Sequence, residues 1–146
     1  MWIIYALSAA VIWGISYAAS GRVIERGMTP LAFFFSFALF GSIAAGLALL
    51  LLGKMATIPG EIRGLGPDWV WFVVAMVTSA AGALLIYMAI SEKNATLASL
   101  IEISYPLFVA IFAWLFFRET QFNLASLLGG LMILGGVGVV FLGNRS

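Results

Sequence analysis

Cysteine and histidine are both absent from the 146 residues, and charge is scarce, with seven Lys or Arg and six Asp or Glu. Without Cys there are no disulfides, thiolate metal sites, iron–sulfur clusters or cysteine nucleophiles. Without His the commonest proton relay and transition-metal ligand are gone. A net charge of +1 with no basic run leaves no electrostatic footprint for nucleic acid. There is no Walker loop, no G-x-S-x-G elbow and no metal-spaced cluster, so no enzyme class is indicated and no cofactor or metal is expected. Hydrophobic residues, by contrast, make up 64% of the chain and charged residues only 9%, with a mean hydropathy of +1.15. A soluble domain runs at about 45–50% apolar and about 25% charged. So few charges cannot cover a water-facing surface, and the chain is expected to meet lipid.

Five apolar segments reach the roughly 20 residues that a spanning helix needs: 2–20, 31–52, 69–91, 96–117 and 124–142. Every charged residue but one, Glu102, falls outside them. The expected fold is an all-α integral membrane protein, a single five-helix domain over residues 1–146 with no soluble domain. The connections carry Gly21, Gly27, Pro30, Gly53, Pro59, Gly60, Gly64, Gly66 and Pro67, with one interfacial turn expected around 61–65. Trp2, Trp69, Trp71 and Trp114 lie near span ends, where indoles suit the headgroup level. No Lys or Arg precedes the first span, and its apolar stretch exceeds a usual signal core, so it is expected to be retained rather than cleaved.

Orientation is nearly unbiased. Five spans place Arg22, Arg26, Lys93 and Arg145 on one side and Lys54, Arg63 and Arg118 on the other. Lys and Arg excess normally sets the cytoplasmic face, so four against three predicts insertion in both senses.

Glu102 carries the strongest chemical signal. It lies about 9 Å inside the fourth span at 1.5 Å per residue, where a charge costs roughly 2.5–3.5 kcal/mol on insertion scales. Intramembrane carboxylates face bundle interiors or wet cavities and mark substrate or proton pathways; the alternative is a protonated Glu donating one interhelical hydrogen bond. Pro106 follows at i+4, and its missing N–H is the donor that the carbonyl of residue 102 would have used. Interrupted helices near the midplane are how transporters build ion and substrate sites. On a continuous wheel, Ala95, Ser99, Glu102, Pro106, Val109 and Ala113 form one small and polar stripe that is expected to face inward, with Leu107 among the residues on the outer faces. Tyr105 either reaches the same cavity or packs at its rim. In the first span, Trp2, Tyr5, Ala9, Trp13, Ser16, Tyr17 and Ser20 share a face. Trp13, Ser16 and Tyr17, the deeper members, are expected to line a path for an amphipathic or cationic solute. Thr78 and Ser79 are expected to bond their own helix backbone, and Asn123 to cap the last helix. Gly129, Gly136 and Gly143 recur every seven residues, with Gly130, Gly135 and Gly138 nearby, and are expected to form a seam where another helix approaches closely.

The Trp13-Gly14 pair, the run Tyr105-Pro106-Leu107-Phe108-Val109-Ala110, the span end Phe116-Phe117-Arg118-Glu119 and the glycine-rich last helix resemble, in this order and spacing, one EamA-type repeat of the drug/metabolite transporter superfamily. The resemblance covers essentially the whole chain. It implies a secondary transporter, expected to export a small metabolite or amphipathic compound, in a bacterial or archaeal cell membrane. Larger members carry two inverted five-span repeats around a central cavity. A single repeat therefore implies a second copy, most simply in an antiparallel homodimer. The small multidrug resistance transporters, with a glutamate in the first helix, fit less well, because the first span here has none. Two competing readings are a non-transporting subunit that needs a dissimilar partner and a lipid-linked sugar flippase component. The absence of Lys and Arg within the spans disfavours the flippase.

Overall fold

The computed structural model describes residues 1–120 and 123–144, so Arg145, counted above for orientation, lies outside the described residues. The described chain is helical, in the order α1 (Trp2–Glu25), α2 (Pro30–Leu51), α3 (Ile58–Gly64), α4 (Trp69–Glu92), α5 (Ala95–Glu102), α6 (Tyr105–Phe112) and α7 (Leu124–Gly143). A π-helical turn, Ala113–Phe117, continues α6. Five stretches are long and apolar enough to cross a membrane, with α5, α6 and the π turn together making the fourth.

Side chains at the boundaries account for the starts of α2, α5 and α7. Thr29 Oγ1 accepts from the Ala32 amide at 3.3 Å, Asn94 Oδ1 from Leu97 at 2.8 Å and Asn123 Oδ1 from Ser126 at 2.8 Å. Each supplies an acceptor to one of the amides that a helix N-terminus leaves without a partner. The first helix runs past the expected end at residue 20, because Gly21 sits inside it and does not break it. It stops at Gly27, whose φ of 104° no L side chain adopts readily. Only 26–29 connect α1 to α2, not the 21–30 loop expected. The short interfacial helix also appears, somewhat longer than expected, as α3.

The chain divides into two compact units, one of Met1–Ala19 with Glu92–Ser146 and one of Ser20–Ser91. In the second, Tyr87 of α4 is almost fully buried, and so is Ser20. Phe33 and Phe37, one turn apart on α2, meet the Tyr87 ring edge-on at centroid distances of 4.8 and 6.1 Å. Such pairs add about 0.5–1.5 kcal/mol each beyond area burial. In the first unit, α5 packs against α7. A Cβ on Gly130 would collide with Leu107 Cδ2, so the glycine is what lets α7 approach the fourth span closely. Apart from Ile24, Ile90 and three alanines of the fourth span, few other apolar side chains are buried, and α2 has no buried residue at all. Lipid solvates such surfaces, which removes the need for a large apolar core.

Candidate functional site

The fourth span is where the backbone departs from helical regularity. Asn94 starts α5, and the Ile103 amide still makes an α-helical bond to Ser99 O at 3.1 Å; the chain then tightens to three-residue bonds, Ser104 to Ile101 O at 3.2 Å and Leu107 to Ser104 O at 3.1 Å. The Ser104 hydroxyl donates to the same Ile101 carbonyl at 2.9 Å. Pro106 enters α6 in its first turn, where a missing N–H is tolerated. The span expected as one helix over 96–117 is therefore two helices joined at 103–104. Proline is the cause: it offers the carbonyl of residue 102 no donor, and its ring crowds the preceding turn.

The break also turns the inward face. In α5, Ala98 is buried and Ala95, Ser99 and Glu102 are half-buried, on one i, i+3, i+4, i+7 face as expected. Beyond the break the inward residues are Leu107, Ala110 and Ala113, while Pro106 and Val109 are exposed. Past residue 102 the expected stripe holds at Ala113, which is buried, but not at Pro106 and Val109, and Leu107, placed on the outer faces, packs on Gly130. Turn-like residues at 103–104 shift the inward positions over 106–110 by about one residue, roughly 100°.

Glu102 ends α5 half-buried, and among the described residues no side chain hydrogen-bonds or ion-pairs with its carboxylate. Ser99, one turn before it, donates its hydroxyl to Thr96 O at 3.0 Å. Tyr105 is largely exposed. On α1, exposure falls along the expected face: Trp2 and Tyr5 are outside, Trp13 is partly covered, and Ser16 and Tyr17 are half-buried. Trp13 and Tyr17 form a tilted ring pair at 5.6 Å. Among the described residues no hydrogen bond, ion pair or ring contact joins this α1 group to Ser99, Glu102 or Tyr105.

Of the glycines, Gly129, Gly136 and Gly143 face open space, with nothing within 4 Å of a Cβ built on them. The intramolecular close approach is at Gly130, another glycine of the same expected seam. Thr78 bonds back to Val74 O at 2.8 Å, as its neutral reading expected. Tyr87 was not distinguishable in the sequence from the other intramembrane aromatics; the only available signal was the Phe33–Phe37 pair one turn apart on a neighbouring span.

These features, a membrane span interrupted at a proline beside a half-buried carboxylate and five spans in all, bear on a family match: the model of the EamA-like transporter family covers residues 1–142. The chain belongs to that family. No curated protein and no solved structure matches it. This EamA-like chain is a multi-pass integral membrane protein and a transporter of the drug/metabolite type.

Proposed function

We propose that this EamA-like chain is a proton-coupled secondary transporter that exports a small metabolite or amphipathic compound as an antiparallel homodimer, with one five-span repeat supplied by each copy. The observation that carries the reading is Glu102, a carboxylate half-buried within a span, without a side-chain partner among the described residues, at the end of a helix broken beside Pro106. A group held in that way can exchange a proton with a cavity, whereas a structural carboxyl would be spent on a hydrogen bond. Ser99, Tyr105, Trp13, Ser16 and Tyr17 are assigned to the solute path on the same reasoning. A nearly even charge split and the open face of Gly129, Gly136 and Gly143 support the second copy.

In vesicles energised by a pH gradient and offered a panel of amphipathic amines and metabolites, the wild type is expected to move at least one compound. Glu102→Gln, which keeps size but cannot exchange a proton, is expected to lose that gradient-driven movement at least tenfold. Equal rates would make Glu102 structural. A single Cys placed at residue 28 is expected to label from both sides of the membrane, and one-sided labelling would remove the antiparallel pair. Gly136→Leu is expected to reduce crosslinked dimer relative to Gly60→Leu in α3, a position with equal open space around it. Equal recovery of dimer from the two variants would take α7 out of the interface.

A further inference from the structure

The break in the fourth span leaves backbone oxygens without donors. In a continuous helix the carbonyls of Leu100, Glu102 and Ile103 would accept from the amides four residues on, those of Ser104, Pro106 and Leu107. Ser104 turns instead to Ile101 O at 3.2 Å and Leu107 to Ser104 O at 3.1 Å, and Pro106 has no N–H to give. Among the described residues no other amide or side chain takes their place. The end of α5 therefore presents three open carbonyl oxygens inside a membrane span. Hydrocarbon offers no donors, so unpaired backbone at that depth persists where it lines a wet cavity or meets a ligand.

The side chains at this point add more oxygen. Glu102 contributes a half-buried carboxylate with no side-chain partner among the described residues. The half-buried Ser99 and Ser104 hydroxyls give their protons to Thr96 O at 3.0 Å and Ile101 O at 2.9 Å, which leaves their oxygens as acceptors. The negative end of the α5 dipole falls on the same place. No Lys or Arg lies within the span to neutralise it. Oxygen donors without nitrogen or sulfur suit a hard cation, and a single carboxylate balances one positive charge rather than two.

We infer that the broken end of α5 is a binding site for Na⁺, with ligands drawn from the Glu102 carboxylate, the open carbonyls of Leu100, Glu102 and Ile103 and the hydroxyls of Ser99 and Ser104. Sodium is favoured over potassium because the smaller ion approaches a carboxylate more closely. The site shares Glu102 with the transport reading and does not rest on it. Binding is an equilibrium property, so either reading can fail while the other stands.

Equilibrium binding of radioactive sodium to the protein in phosphatidylcholine nanodiscs tests the site, with choline holding ionic strength constant and empty discs as the blank. Saturable binding is expected for the wild type, at least tenfold weaker for Glu102→Gln and within a few-fold of wild type for Glu102→Asp. Pro106→Ala keeps the carboxylate and returns a donor to the carbonyl of residue 102, and it is expected to weaken sodium several-fold. Glu119→Gln, which removes a carboxylate outside the span, is expected to bind as the wild type does. Excess potassium is expected to compete poorly. Wild-type binding no greater than that of empty discs would overturn the assignment. So would equal affinity in wild type and Glu102→Gln, or in wild type and Pro106→Ala, or competition by potassium as strong as by sodium itself.

Discussion

The second and fourth spans each contain one proline, and the two behave oppositely. Pro30 is the first residue of α2, behind the Thr29 cap, in a place where its missing N–H would have had no partner anyway. The helix that follows is 22 residues long, uncharged and without a buried position. Pro106 lies well inside a span, and there the helix stops at Glu102 and restarts at Tyr105. The same residue thus caps one span and divides the other, and the divided span is the one that holds a carboxylate. Local chemistry, rather than overall hydrophobicity, separates a lipid-facing strut from a candidate site.

The comparison breaks most visibly at the glycines. Gly130→Leu is expected to destabilise the protein by about 1–3 kcal/mol, since its side chain must displace Leu107 from the fourth span. Gly41→Leu in α2, which meets nothing, is expected to be tolerated. Thermal stability of the two variants in one detergent checks this; equal losses would mean that α7 does not use Gly130 to approach the fourth span.

A smaller effect is expected at the prolines. Pro106→Ala restores a donor to the carbonyl of residue 102, so the fourth span is expected to straighten and turnover to fall several-fold, with proton dependence kept. Pro30→Ala is expected to change transport by less than twofold. Hydrogen exchange at 103–106 reads the first outcome directly: amides that stay as fast as in wild type would show that the break does not depend on proline.

The smallest contrast lies at the caps. Thr29→Ala and Asn94→Ala each remove one side-chain acceptor, costing about 0.5–2 kcal/mol. The Asn94 variant alone is expected to alter transport, because α5 has only eight residues to hold Glu102 in place. Equal transport in the two variants would show that the α5 cap does not position the carboxylate.

Much of this was legible in the amino-acid pattern. Five apolar runs with one charge among them fix the number of spans, and a proline four residues after a glutamate marks where one span is unusual. Phase was not legible beyond the break. Wheel geometry assumes a continuous helix, and two turn-like residues at 103–104 shift the positions that follow over 106–110, which exchanged Val109 for Ala110 and brought Leu107 inward, while Ala113 is inward as expected. The end of α1 was misplaced for a related reason: Gly21 is a breaker only when the chain needs to turn, and here the turn comes at Gly27. The burial of Tyr87, and which glycine of the last-span seam makes the close approach, depend on what neighbouring helices present, which no single-span pattern contains.

The central claim is that Glu102 exchanges a proton in step with the transported compound, and the most direct measurement is compound-driven proton movement without an imposed gradient. Proteoliposomes loaded with a pH-sensitive dye are given each compound of the panel from outside. The account predicts that at least one compound shifts the internal pH with the wild type and that none does so with Glu102→Gln reconstituted at equal density. A shift of the same size and rate in the Gln variant would contradict it.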